Sequence, residues 1–532
     1  MTAVTDDATV VMPAPVITTP GRWPTQTRDS RRPPVPRKKK DRTDLWLASG
    51  LTAVVLVFLA WNITGFPSAT DDEGTYLAQS WAVQHGVGLA HYTYWYDHPP
   101  LGWIQLAGLA WVPAMVAPTM LAVAGGRIAM LPVEAISLLL VYLICRRLGF
   151  RRWGASLALL VFGLSPLALT MNRQIYLDSF AVAWILAAFA LSLSPRKHLW
   201  HYAAAGLATA VAVLSKETML IVAPAVVVAM WQNTRATTTR AWAFGAYASG
   251  LVLVGVFYPL YAVLRGELFP GAGHVSLVGA WEFQLASRSG SGSVFDAGSN
   301  SNSLLHSWLY YDGVILIGGL AATVIALAFR RLRAPAVAAA ILTVVALRPG
   351  GYLPAMYVVQ VLPFFAIVLA GVVELGIGDL GVRHRRLRWA AVALAVAASV
   401  YVVPHWYVGD RRAMVTNDNR AYEQAAAWLR TDVSDRPGTT VVVDDVLWLD
   451  CVRAGYQPDK VIWFYKLDLD PAVAKRLPDG WRDVDYIVST PALRQDPTAL
   501  PTVSALLVHS SVVASFGPDG GRIEIRRVEE TS

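Results

Sequence analysis

LWLASGLTAVVLVFLAWNI, residues 45–63, decides the fold of this chain. The stretch carries no charged side chain, and as a helix it is long enough to cross the ~30 Å hydrocarbon core of a bilayer. Similar apolar runs recur as far as Val408. Of the 532 residues, 55% are hydrophobic and only 15% are charged, whereas soluble domains average about 25% charged residues. The sequence therefore predicts a mainly α, multi-pass transmembrane helical bundle.

The apolar runs after the first span set the predicted topology. Leu101 to Val116 is apolar enough to cross the membrane, but we place it in the interface as an amphipathic or partly re-entrant helix. The spans 202–215 and 334–348 are short, which is typical of helices that border a cavity. With the first span, about eleven spans are predicted: 123–145, 154–171, 176–194, 202–215, 217–231, 243–264, 309–329, 334–348, 353–373 and 389–408.

The net charge of +8 does not indicate nucleic-acid binding, because the basic residues form short clusters between apolar spans. Such clusters mark the cytoplasmic side of a membrane protein, whereas a nucleic-acid surface would gather them on one face. We therefore expect a multi-pass protein of the bacterial inner (cytoplasmic) membrane, with a cytoplasmic N-terminus and an outer C-terminus. The clusters are Arg37 to Lys40, Arg146 to Arg152, Arg196-Lys197, Arg330 to Arg333 and Arg383 to Arg388.

Composition divides the chain into three parts. Residues 1–43 are polar, basic and Pro-containing, and predict a disordered cytoplasmic tail. Residues 44–408 form the membrane domain, with outer loops at about 64–122 and 265–306. Residues 409–532 alternate helical and strand patterns, with a helix at Arg420 to Arg430 and strands near 439–445, 486–490, 511–516 and 522–527. This alternation predicts a small extracytoplasmic α/β domain.

The first outer loop opens on Asp71-Asp72-Glu73-Gly74-Thr75-Tyr76 and closes its polar part with Tyr96-Asp97-His98-Pro99-Pro100-Leu101-Gly102. Adjacent carboxylates at a membrane surface repel one another and are costly to desolvate. They have two interpretations at this stage. Asp72 could cap the following helix, or one carboxylate could act as a general base that deprotonates an acceptor hydroxyl during sugar transfer.

A lipid-phosphate leaving group would need cations rather than a general acid, and four are predicted on the outer side. For Arg127 and Arg173, snorkelling towards the headgroups is an equal alternative to function. Lys216 and Glu217 lie between two short apolar segments, so they must pair or face a cavity. Arg348 follows the other short span.

These motifs resemble those of the protein O-mannosyltransferase and aminoarabinose-transferase families, which are membrane glycosyltransferases of the GT-C superfamily. The resemblance rests on the Asp-Glu pair after the first span and on His-Pro-Pro-Leu-Gly about twenty-five residues later. Asn172 to Asp178 is similar to the families' Arg-x-x-Tyr-x-Asp segment, and Tyr352-Leu353-Pro354 with Leu362 to Phe365 is similar to their late Pro-containing span.

The resemblance implies a GT-C fold, an outward-facing site and a polyprenyl-phosphate sugar donor. It implies Asp72 as the general base and Glu73 as its catalytic neighbour. The sequence departs from the families at Thr75, where the aminoarabinose enzymes have Arg, and at Trp103, where mannosyltransferases have Lys. Donor-phosphate or substrate contacts are therefore expected from other residues: Tyr76, Asp97, His98, Arg173, Lys216 and Arg348.

The partners that this interpretation implies are the lipid-linked donor, the bilayer and a glycan, lipid or protein acceptor. The sequence names neither the sugar nor the acceptor. We expect no cofactor and no metal site, although a divalent metal stays open. A transporter or lipid flippase, which would predict internal repeats, and a membrane scaffold presenting the C-terminal domain are the alternatives from other classes.

Overall fold

The computed structural model describes residues 42–348, 350–379, 385–495 and 499–529. The predicted tail 1–43 lies almost wholly outside these ranges, as do the first basic cluster and part of the last. Each predicted span overlaps at least one helix. The helices of this part of the chain are α1 Thr43–Ala60, α2 Asp71–Gln84, α3 Leu101–Val116, α4 Ala122–Arg147, α5 Arg152–Leu164, α6 Pro166–Asn172, α7 Leu177–Ser192, α8 Leu199–Ser215, α9 Ala223–Thr234, α10 Arg240–Gly255, α11 Phe257–Leu264, α12 Leu277–Glu282, α13 Asn300–Ala328, α14 Arg333–Ala346, α15 Tyr357–Glu374 and α16 Arg385–Val415.

By length and composition, six helical stretches among the described residues can cross a membrane, or seven if the bent pair α5 and α6 forms one span. These two helices meet at 63°. The predicted spans at α7, α8 and α14 are apolar helices of 16, 17 and 14 residues, shorter than the ~20 residues of a full crossing. The count of about eleven spans therefore stays a prediction.

Two helices differ from their predicted bounds. Helix α13 begins at Asn300 because the Ser299 hydroxyl accepts a hydrogen bond from the Asn302 N–H at 3.0 Å. Its first turns therefore lie in the segment predicted as the outer loop 265–306. Helix α16 continues to Val415, beyond the predicted end of the last span at 408.

Ion pairs join several basic clusters at one end of the bundle. Asp44, at the start of α1, lies 3.2 Å from Arg146 and 3.0 Å from Arg152. Arg331 donates to Glu374 at 2.7 Å and to the Leu148 carbonyl, also at 2.7 Å. The start of α1 and the loops after α4 and α13 thus meet at the same end, which is the arrangement that the charge pattern predicts for one side of a membrane.

The C-terminal part folds around one five-stranded sheet. Its helices and strands in chain order are α17 Arg420–Thr431, β1 Val441–Val443, α18 Asp445–Arg453, β2 Val461–Trp463, α19 Lys466–Leu469, α20 Pro471–Ala474, β3 Tyr486–Ser489, α21 Pro501–Val508, β4 Ser510–Phe516 and β5 Ile523–Val528. The strand order is β2-β1-β3-β5-β4, with β1 parallel to β2 and β3, and β5 antiparallel to β3 and β4. The predicted strands are present, and β2 is an addition to them.

The sheet domain packs directly on the first loop of the membrane domain. Its helix α18 lies so close to α2 that a Cβ on Gly74 would approach the Asp445 carbonyl to 2.2 Å. The Asp450 carboxylate accepts the Ala122 N–H at 3.0 Å, which satisfies a free donor at the start of α4. The Tyr92 hydroxyl donates to the Val461 carbonyl at 2.9 Å. These contacts fix the sheet domain over the start of α2.

Helices α8 and α10 approach each other through glycines, which predicts a test of the bundle. A Cβ on Gly250 would lie 2.1 Å from the Ala203 carbonyl oxygen, whereas one on Gly245 of the same helix would meet nothing within 4 Å. Close glycine contacts of this kind are typical of packed membrane helices. We expect Gly250→Ala to lower the melting temperature in detergent, measured by fluorescence.

Gly245→Ala is the matched control. It should leave the melting temperature unchanged or raise it, because alanine has the better helix propensity by about 1 kcal/mol. Equal melting temperatures for the two variants would contradict this packing.

Candidate active site

The start of α2 separates the three adjacent acidic residues into different roles. Thr70 is the N-cap, and its N–H donates to a Glu73 carboxylate oxygen at 3.2 Å. The reciprocal arrangement is a capping box. The cap is thus supplied by Thr70 and Glu73, and Asp72 does not take the capping position considered for it from the sequence. The Asp72 carboxylate makes no hydrogen bond with any described residue, and the side chain is exposed.

Glu73 is fully buried in a two-point ion pair with Arg127. The Arg127 Nε lies 2.8 Å from Glu73 Oε1, and Nη2 lies 2.7 Å from Oε2. The Ile175 N–H also donates to Oε1 at 3.0 Å. Since both carboxylate oxygens are already occupied by donors, Glu73 has no free oxygen to take a proton from a substrate. Its contacts connect α2 to α4 and to the segment before α7.

Arg127 is 1% exposed, so it does not snorkel to the headgroups. Besides its ion pair, it donates to the Pro67 carbonyl at 2.8 Å and to the Ile63 carbonyl at 3.3 Å. The guanidinium thus joins α4 to both ends of the segment between α1 and α2. The sequence left two interpretations of Arg127, snorkelling towards the headgroups or a functional role. It did not predict the pair with Glu73, because 54 residues separate the two partners.

Arg173 lies apart from the other residues that were expected to contact the donor phosphate. Its guanidinium is buried and donates to the carbonyls of Phe58, Trp61 and Ala413 at 2.7, 2.8 and 3.0 Å. These carbonyls belong to the end of α1 and to α16. These hydrogen bonds satisfy carbonyl groups near helix ends that have no partner within the helix. Arg173 thereby connects the two helices.

Arg348 also lies apart from the other predicted residues. It follows α14 with an exposed side chain, and its guanidinium packs against Gly351. Its side chain makes no hydrogen bond or ion pair with a residue in the described ranges.

Lys216 and His98 are brought together although 118 residues separate them. The Lys216 Nζ lies 3.1 Å from His98 Nε2, and His98 Nδ1 lies 3.1 Å from a Glu217 carboxylate oxygen. This geometry fits an imidazole whose Nδ1–H donates to Glu217 and whose Nε2 accepts from the ammonium. Lys216 is 3% exposed, and it lies close enough to Asp72 and Asp178 for their charges to interact.

Asp178 and Gln360 extend the same cluster. The Gln360 amide donates to Asp178 at 2.6 Å and to the Thr218 hydroxyl at 2.7 Å. The sequence analysis named Asp178 only as the last residue of the segment from Asn172 that resembles the families' motif, and Arg173 of that segment binds backbone carbonyls instead. Gln360 is surrounded by apolar residues in the sequence of α15. The sequence analysis therefore did not identify it as a candidate site residue.

Asp72 lies within electrostatic range of this cluster. Although its side chain is in contact with solvent, partial burial by the surrounding protein raises the pKa of its carboxyl above the usual range, and the Lys216 ammonium offsets part of that rise. Burial and the neighbouring Asp72 also raise the pKa of Asp71. A carboxyl whose pKa is shifted towards neutrality by its site, with cations beside it, is typical of a general base.

The sheet domain adds acidic residues that the sequence did not connect to the site. The Asp444 carboxylate accepts from the Tyr422 hydroxyl at 2.7 Å and caps α18 through the Leu447 N–H. Burial and the nearby Asp71 raise the pKa of Asp444 to about 7. Among the residues that the structure describes, no group of three His, Cys, Asp or Glu side chains could hold a metal ion.

Residues 97–259 match the model of a family described as dolichyl-phosphate-mannose-protein mannosyltransferase. No curated protein matches the chain. The structure is similar to that of ArnT from Cupriavidus metallidurans bound to undecaprenyl phosphate, with 16% identity over 92% of this chain and 99% of that chain and a TM-score of 0.57. It is also similar to the apo oligosaccharyltransferase of Archaeoglobus fulgidus, with 12% identity over 93% of this chain and 75% of that chain and a TM-score of 0.52.

These similarities establish the fold. The chain has the helical membrane fold of these glycosyltransferases, and the family match covers His98 and Lys216. The predicted resemblance to membrane glycosyltransferases of the GT-C type is therefore confirmed.

The different environments of Glu73 and Asp72 predict different effects on stability. Arg127→Met leaves Glu73 buried without its cation, which costs about 3–5 kcal/mol in comparable buried pairs. We expect a large fall in melting temperature, and a partial recovery in the Arg127→Met/Glu73→Gln double variant. Asp72→Asn should melt like the wild type. An unchanged melting temperature for Arg127→Met would show that the pair does not hold α2 in place.

Proposed function

We propose that the protein is a glycosyltransferase that moves a sugar from a polyprenyl-phosphate donor to a hydroxyl acceptor, with Asp72 as general base. The site would face the outer side of the cytoplasmic membrane. The lipid-linked donor is supported by the undecaprenyl phosphate bound in the similar ArnT structure and by the description of the matching family.

The observation that carries the proposal is the position of Asp72 relative to Lys216 and His98. Asp72 has a carboxylate without a hydrogen-bond partner in the described residues, and it interacts electrostatically with the Lys216 ammonium that contacts His98. Sugar transfer needs a base on one side of the anomeric carbon and charge stabilisation of the leaving group on the other. The two requirements are met by residues of two different segments, the start of α2 and the end of α8.

In the proposed reaction, Asp72 takes the proton of the acceptor hydroxyl as its oxygen forms a bond to the anomeric carbon. The bond between that carbon and the phosphate oxygen breaks, and the electron pair leaves with the lipid phosphate. Lys216 stabilises the charge that develops on the phosphate. Glu217 holds His98, and His98 in turn positions the Lys216 ammonium.

The two departures from the family patterns support this role for Lys216. Trp103, at the position of the mannosyltransferase Lys, is 0% exposed and packs edge-on against Tyr94. Thr75, at the position of the aminoarabinose-transferase Arg, carries no charge. Neither residue can neutralise a phosphate, so a cation from elsewhere is required, and the buried Lys216 is the one that lies beside Asp72.

The remaining predicted residues are assigned secondary roles. Tyr76 is 3% exposed, and its hydroxyl lies within range of the Asp72 and Asp97 charges, where it could contact the donor sugar. Asp97 is exposed, and its charge acts on both Asp72 and Lys216. Arg173 is assigned to structure, and Arg348 would act only if the donor reaches the end of α14.

The proposal predicts that Asp72→Asn abolishes transfer, since it removes the base without changing the size of the side chain. Asp71→Asn is the matched control on the same turn and should retain most of the activity. Transfer is measured with the purified protein in liposomes, using polyprenyl-phosphate mannose, galactose, glucose and arabinose as candidate donors. Equal activity of the two variants on the donor that the wild type uses would show that Asp72 is not the base.

A further inference from the structure

A cavity of about 220 Å³ lies between the first loop and the sheet domain. Aromatic side chains from both parts form its walls, including Tyr92 and Trp95 from the loop and Trp463 and Tyr465 from the segment after β1. Thr75 and Gln79 of α2 also line it. Nothing in the reaction proposed above uses these aromatic residues.

Two buried polar atoms of this cavity have no hydrogen-bond partner among the described residues. They are the carbonyl oxygen Oε1 of Gln79 and the indole Nε1 of Trp463, in side chains that are 7% and 5% exposed. Buried polar atoms are nearly always paired, and leaving one unpaired costs about 1–3 kcal/mol. Both side chains line the cavity, so a ligand that donates one hydrogen bond and accepts another would supply the missing partners.

The charges of the cavity argue against an anionic ligand. The Lys466 ammonium lies 4.3 Å from the centre of the Trp95 ring and 3.7 Å from an Asp470 carboxylate oxygen. Asp97 adds a further carboxylate to the wall. Because the single cation is balanced by these acids, the cavity has no excess positive charge to select a phosphate.

The cavity lies along the same face of α2 as the proposed base. Asp72, Thr75 and Gln79 are three and four residues apart, so they lie on one face of α2. Gln79 is two turns, or about 10 Å, along the helix from Asp72. Asp97 connects the two places, because it lines the cavity and its charge acts on both Asp72 and Lys216.

We infer that this cavity is the acceptor subsite and that the acceptor is a saccharide, an inference that rests on the proposed function. A sugar ring presents C–H groups that pack on aromatic faces, and its hydroxyls both donate and accept hydrogen bonds, as Trp463 and Gln79 require. The volume is below the ~300 Å³ of typical small-molecule pockets. It accommodates one sugar residue, whose neighbours extend outwards along the sheet domain.

The arrangement also assigns directions to the two substrates. Lys216 ends the apolar helix α8, so the donor phosphate arrives from the membrane. The cavity is walled by the sheet domain, so the acceptor arrives from the opposite side of Asp72. The sheet domain thereby becomes part of the acceptor site instead of an appended module.

The test compares a tryptophan whose indole N–H has no hydrogen-bond partner among the described residues with one whose indole N–H is paired. Trp463→Phe keeps an aromatic ring but removes the unpaired donor, and Gln79→Leu removes the unpaired acceptor. Trp448→Phe is the matched control, because the Trp448 indole donates to the Val461 carbonyl at 2.9 Å and does not line the cavity. The saccharide probes are octyl glycosides of disaccharides of mannose, galactose, glucose or arabinose. The second kind of probe is a Ser/Thr-rich peptide. Dissociation constants are measured for the full chain in nanodiscs by saturation-transfer NMR.

We expect at least one disaccharide to bind, and each cavity variant to weaken that binding about tenfold, as the loss of one hydrogen bond would. Trp448→Phe should lower the melting temperature and leave the dissociation constant unchanged. Disaccharide binding that is equal in wild type and cavity variants would overturn the inference, as would the absence of disaccharide binding or cavity-dependent binding of the peptide.

The proposed function and this inference can be disproved independently of each other. Asp72→Asn should bind the disaccharide as the wild type does but transfer no sugar to it. If the wild type binds the disaccharide in the cavity yet transfers no sugar from any of the lipid-linked donors, the saccharide site stands and the proposed reaction is wrong.

Discussion

The buried ion pair between Glu73 and Arg127 is the contact on which the rest of the site depends. Two charges are removed from water, which is unfavourable unless each finds several partners. Here the carboxylate is also satisfied by the Ile175 N–H, and the guanidinium by the Pro67 carbonyl. One interaction therefore fixes α2, α4, the segment between α1 and α2 and the start of α7 relative to each other.

This pair has a chemical consequence one residue away. Because Glu73 is directed inwards and both its oxygens are paired, Asp72 on the same turn is left exposed, without a hydrogen-bond partner among the described residues and within electrostatic range of Lys216. Neighbouring carboxylates that would otherwise repel each other thus have separate environments, one structural and one accessible. The sheet domain borders the same turn of α2, since α18 packs against Gly74 and brings Asp445 beside it.

Much of the fold could be predicted, because hydrophobic length and charge clusters are local properties. The helices and most strands follow from them, whereas the cap of α2 is Thr70 and not Asp72. Strand β2, Val461–Trp463, was not predicted. Lys216 was recognised because a charge between apolar segments needs a partner, but pairs such as Glu73–Arg127 depend on contacts distant in sequence. For the same reason Arg173 resembled a substrate ligand, although its guanidinium binds the ends of two helices.

The central claim is that Asp72 is a base whose ionisation depends on Lys216. The direct measurement is the pH dependence of kcat/KM for the wild type and for Lys216→Gln, which reports the pKa of the free enzyme's base. Burial raises the pKa of Asp72, so wild-type activity should fall as the pH drops through a value above the ~3.9 of an ordinary Asp. Removing the ammonium removes a charge that favours the carboxylate, so the acid limb of the residual activity should move to higher pH. An acid limb at the same pH in both proteins, or one that moves to lower pH in the variant, would contradict the account.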